Sequence, residues 1–134
     1  MSTTNKSLLL KSFHKQLFDF LDDIISIMPD NHALVKSKVY FTTIKQANPT
    51  LIIKIWYQYI LIPYRDLIES ENIDFFLEKD YTEDLQYIPY AADVLRIIDT
   101  SIRNPIKEME TENKDKCAKY IKLLSKISDA YSQV

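Results

Sequence analysis

The sequence predicts an all-α fold, a compact bundle of five or six helices around a central apolar helix at about 50–62. Three observations carry this. Apolar residues recur at spacings of three and four almost everywhere between the prolines at 29, 49, 63, 89 and 105, which is the helical period. The chain holds no glycine, the residue that two-residue hairpins and positive-φ turns prefer, so β-rich folds are disfavoured. From Leu51 to Ile62 only Lys54 and Gln58 are strongly polar. Being four apart, they share one face of a helix that is otherwise apolar, the pattern of a buried central helix.

The elements follow in order. Leu10, Phe13, Leu17, Phe20, Ile24 and Ile27 make one apolar stripe, with Lys15, Asp19, Asp22 and Asp23 largely away from it. Met28-Pro29 closes that helix, because a residue before proline avoids the α region. Asp30 is placed to cap a second helix with Leu34, Val35, Phe41 and Ile44 on its buried face, running to about Ala47. Asn48-Pro49 then reads as an N-cap with proline at the first helical position. Pro63 either kinks the central helix or ends it, and Tyr64 to Ile68 continues as helix after that break. Within 69–89 one short helix at about 73–79 is expected, in a segment rich in acids. Past Pro89, the residues Ala91, Val94, Leu95, Ile98 and Ile102 form another stripe. Asn104-Pro105 repeats the cap-plus-proline signal. The last segment turns Ile106, Met109, Cys117, Tyr120, Leu124, Ile127 and Tyr131 to one side. It is either one helix from 105 or breaks near Glu110-Thr111. Its early acids and late lysines suit the helix dipole.

The chain of 134 residues fits one domain, 1–134, with residues 1–6 and 132–134 expected to fray. Apolar residues at 46% and a net charge of −2 suit a soluble globular chain with no global attraction to nucleic acid or anionic lipid. Without glycine there is no phosphate-binding loop, dinucleotide fingerprint, EF-hand turn or nucleophile elbow. A single cysteine, Cys117, forms neither an intramolecular disulfide nor a cysteine-rich zinc site. His14 and His32 are the only histidines and lack metal-ligand spacing. No signal peptide and no apolar run long enough to span a membrane is present. The default compartment is therefore a reducing cytoplasm or nucleus.

These readings imply no cofactor, no metal and no catalytic residue, so the chain is expected not to be an enzyme. Two surfaces remain as candidates. The first is an acidic-aromatic patch in 69–84, with Phe75, Phe76, Glu78, Asp80 and Tyr81 as partner-binding residues; an apolar patch rimmed by charge suits a basic protein partner. The second is a lysine stripe, Lys116, Lys119, Lys122 and Lys126, positioned to meet phosphates. Trp56 is expected in the core, with Tyr57 or Tyr64 as exposed anchors.

The stretches Asn48-Pro49, Pro63-Tyr64-Arg65-Asp66, Asp74 to Tyr81, Arg103 to Lys107 and Glu112 to Ile121 resemble small proteins encoded by nucleocytoplasmic large DNA viruses, the giant viruses of amoebae and algae. The resemblance spans most of 10–131. It implies a viral origin and action in an infected cell, with the host cytoplasm or the virion as the compartment, and it carries over no functional residue. Lysine outnumbers arginine fourteen to three and isoleucine occurs eighteen times, which fits an AT-rich genome. The expected function is a non-catalytic protein-binding or scaffold module. The alternative is an accessory protein that meets nucleic acid through the C-terminal lysine face.

Overall fold

Apolar stripes on α1 (Ser2–Ile27) and α6 (Thr111–Ser132) face each other and set the frame of the molecule. The computed structural model describes residues 2–72, 74, 94, 96–98 and 102–134, with side chains from residue 5 onward. The fold is an all-α bundle, and no strand occurs among the described residues. Between the two long helices come α2 (His32–Ala47), α3 (Leu51–Ile55), a π-helical segment (Trp56–Leu61) and α4 (Ile62–Glu69); α5 (Asn104–Lys107) precedes α6. The pair α1 and α6 runs antiparallel, because Lys6 meets Tyr131 while Asp23 meets Tyr120. On α2, Lys38 reaches Asp22 at 2.6 Å and Lys45 lies over the Phe18 ring, so α2 runs antiparallel to α1.

Core membership follows the stripes. Phe13, Leu17, Phe20, Leu21 and Ile24 of α1 are fully buried. Each such side chain contributes about 1.5–3 kcal/mol relative to exposure. Val94, Ile98 and Ile102 are buried as their spacing implies. Ile27, expected in the α1 stripe, is exposed because the helix ends there.

Three boundary expectations are corrected. The cap of α2 is Asn31, not Asp30. Its Oδ1 accepts from the Ala33 N–H at 3.2 Å, while Pro29 and Asp30 form the preceding turn. Asn48 does not start the central helix; it caps the end of α2, donating its N–H to the Ile44 carbonyl at 2.7 Å. The helix begins three residues later, at Leu51. Likewise Asn104 lies inside a helical run with no side-chain cap bond. A fourth correction concerns α2, which buries Ser37 where Val35 was expected; Val35 and Val39 are exposed. The Ser37 hydroxyl donates to the Ala33 carbonyl at 2.9 Å, which satisfies its polar atom internally.

The last segment is broken. Glu110 is extended and precedes α6, which starts at Thr111. Glu112 lies in its first turn, but no lysine reaches the last turn, so the dipole is complemented at one end only.

Candidate functional site

The side chains that the sequence singles out do not converge. Phe75, Phe76, Glu78, Asp80 and Tyr81 lie outside the described residues. The four lysines all stand on α6, where Lys119, Lys122 and Lys126 share a face and Lys116 sits at its edge. Lys122, in the middle, is turned toward Glu69 and Glu71 at 3.8 and 3.9 Å. Its charge is partly met within the chain, and the face is interrupted there. His32 is exposed, whereas His14 is buried. Burial, then Lys45, lowers the His14 pKa from 6.5, and the Pro49 backbone works against them. His14 Nε2 is the one buried side-chain polar atom without a hydrogen-bond partner among the described residues. No group of three potential metal ligands occurs among those residues, and none of their helices is long and apolar enough to cross a membrane.

Trp56 is core, as expected. It is wholly buried, meets the Phe13 ring edge-on at 6.0 Å and donates its indole N–H to Ser125 Oγ at 3.0 Å. Small side chains on α6 make room for the indole, since Ser125 and Ser128 are both buried there. Ser128 Oγ donates in turn to the Ser125 carbonyl at 2.8 Å. Tyr57 and Tyr64 are half-buried.

The π-helical segment positions a feature that the sequence does not announce. Proline at 63 has no N–H and its ring crowds the preceding turn. The helix answers by widening, and the Ile62 N–H donates to the Tyr57 carbonyl, five residues back. The buried positions accordingly step by five, from Ile55 to Ile60 and from Trp56 to Leu61. Beyond Pro63 the rod bends at Tyr64, whose φ and ψ are −130° and 25°, and continues as α4. On α4, Arg65 pairs with both carboxylate oxygens of Asp129 at 3.3 and 3.4 Å, which ties the rod to α6.

Ile62 is left 51% exposed, in line with Lys54 and Gln58 on the outer face. Beside it runs a groove of about 490 Å³, walled by Lys6 of α1, by Ile53, Lys54, Tyr57 and Gln58 of the rod, and by Tyr131 of α6. The Lys6 ammonium lies 4.9 Å from the centre of the Tyr131 ring. An apolar floor with a few polar groups at the rim is what ligand grooves commonly have, and π segments are frequent at functional sites.

No family model, curated protein or solved structure matches the chain.

A second cleft, of about 250 Å³, opens between α1 and α6 and is lined by Asp23, Lys116, Cys117 and Tyr120 among others. Burial, with Asp23 nearby, pushes the Cys117 thiol up to about 12, and its sulfur lies 3.7 Å from that of Met109. Tyr120 donates to Asp23 and stacks on Phe20 with centroids 4.7 Å apart. That hydrogen bond, more than burial, pushes the phenol up to about 12. At neutral pH both groups keep their protons, so neither supplies a nucleophile or base. This cleft closes the α1–α6 seam with a tyrosine–carboxylate clasp.

Proposed function

We propose that the chain is a non-catalytic protein-binding module that engages its partner through the groove along the π-helical segment. One observation carries the reading. A large aliphatic side chain, Ile62, stands half in water at the edge of a concave apolar floor, on a rod seated in the core by Trp56 and tied to α6 by the Arg65–Asp129 pair. An apolar anchor on a helix seated in the core suits recognition, because less conformational freedom is lost on binding. The likeness of the sequence to giant-virus proteins extends the proposal to action inside an infected cell. The nucleic-acid alternative is weakened by Lys122, whose ammonium leans toward Glu69 and Glu71.

Affinity purification from the cells in which the chain acts tests the proposal. Ile62→Arg should remove the captured partner, while Val35→Arg, on the exposed face of α2, should leave it. An unchanged partner set for Ile62→Arg overturns the groove reading. Titration of DNA and RNA at two salt concentrations tests the alternative. Binding that weakens steeply with salt would favour phosphate contact.

A further inference from the structure

We infer that the groove takes an acidic amphipathic protein segment, one that sets an aliphatic or aromatic side chain on the apolar floor and carboxylates on the rim. The inference rests on the groove being the binding site and adds the chemistry of its occupant. It comes from charge. Two lysines, Lys6 from α1 and Lys54 from α3, line the groove from separate elements, and no carboxylate among the described residues lines it. The chain as a whole carries 19 acids against 17 bases, so a wall with two cations and no acid among its described residues departs from the chain's average composition. The carboxylate next to Ser128 in sequence, Asp129, is already held by Arg65 and does not neutralise this wall.

The geometry also sets the occupant's size. Lys54, Gln58 and Ile62 follow one another along the rod, spanning about 12 Å at 1.5 Å per residue. That matches two turns of a helix bearing anchors at i, i+3 or i+4, and i+7. The concavity disfavours a membrane surface, which would demand a protruding apolar face. The apolar floor, with Tyr57 part-exposed above the buried Ile53 and Tyr131, gives a bare phosphate backbone nothing to bury.

Selection of random twelve-residue displayed peptides on the full chain at low salt tests this. Enriched peptides should carry Asp or Glu around an aliphatic or aromatic residue. The affinity of one such synthetic peptide should fall about tenfold or more with the pair Lys6→Glu and Lys54→Glu. It should also fall with added salt and with Ile62→Arg. The milder pair Lys6→Gln and Lys54→Gln should give a smaller loss in the same direction, and it serves if the reversal disturbs folding, which circular dichroism reports. Basic or uncharged peptides that still depend on Ile62 overturn the acidic assignment and leave the groove reading standing. Peptides indifferent to Ile62→Arg, or no enrichment at all, overturn both. Binding to phosphatidylserine vesicles that Ile62→Arg abolishes, with no peptide selected, overturns the protein partner in favour of lipid.

Discussion

Glu71 offers a test in which the sign of the effect decides. It is the one non-glycine residue with positive φ among those described, at 59°. It follows α4 in a complete Schellman arrangement, where the Asn72 N–H donates to the Leu67 carbonyl at 2.9 Å and the Glu71 N–H to that of Ile68 at 3.0 Å. Glycine usually fills this position, and this chain has none. Holding a side chain in the left-handed region costs about 1–2 kcal/mol. Glycine relieves that cost but adds about 0.4–1 kcal/mol through the freer unfolded chain. Substituting Glu71 also removes its contact with Lys122 at 3.9 Å, an exposed pair worth about 0–1 kcal/mol. Comparing Glu71→Gly with Glu71→Ala cancels that loss, since both variants lack the carboxylate. The glycine variant should then be the more stable by about 0.5–1 kcal/mol. In a helix interior the order is reversed, with glycine about 1 kcal/mol worse than alanine. Urea unfolding followed by the fluorescence of Trp56, the only tryptophan and wholly buried, reads the difference. The midpoints should separate by roughly 0.3–0.5 M at unchanged slope. An alanine variant equal to or more stable than the glycine variant would refute the left-handed cap.

Trp56→Ala should cost about 3–5 kcal/mol in unfolding followed by circular dichroism, and a cost near zero contradicts its place in the core. His14, kept below 6.5 chiefly by burial, resists the proton that the unfolded chain accepts. Stability should therefore be level well above pH 6.5 and decline as pH falls below it. His14→Gln should flatten the slope between about pH 6.5 and 5.5, and an identical slope in both proteins contradicts the assignment. Cys117 should react with iodoacetamide far more slowly in the folded chain than in urea, because burial holds it as the thiol; equal rates would show that it is accessible.

Hydrophobic period made the core legible. Phe13, Leu17, Phe20, Ile24, Leu34, Phe41, Trp56, Leu124 and Ile127 are buried where their spacing puts them. Boundaries were less legible because asparagine serves both ends of a helix. Asn48 has the side chain of an N-cap, yet here it ends α2, and proline occurs both just past a helix end and at a helix start. The buried face of α2 departs from its apolar pattern because packing there rewards a small group whose hydroxyl bonds its own helix, although valine is more apolar than serine. Of the candidate site, the lysine positions on α6 were legible, but the turning of Lys122 toward Glu69 and Glu71 depends on a contact across helices. The groove was hidden altogether. In the stretch 51–62 only Lys54 and Gln58 mark an outer face, and nothing in the pattern shows that Ile62 continues their line across the π segment.

The π segment explains why it is Ile62 that is left outside. Were the rod α-helical throughout, Ile55 and Trp56 would be followed on the buried side by Tyr59 and Ile60, three or four residues later, and Leu61 would turn outward. The wider turn inserts one residue, so Ile60 and Leu61 close the core instead. Everything after it is displaced by one position, about 100° of helix rotation. That rotation aims Arg65 at Asp129 and sends Ile68 into the core. It also leaves Ile62 on the line of Lys54 and Gln58. The seating of α4 against α6 and the exposed anchor thus share one cause.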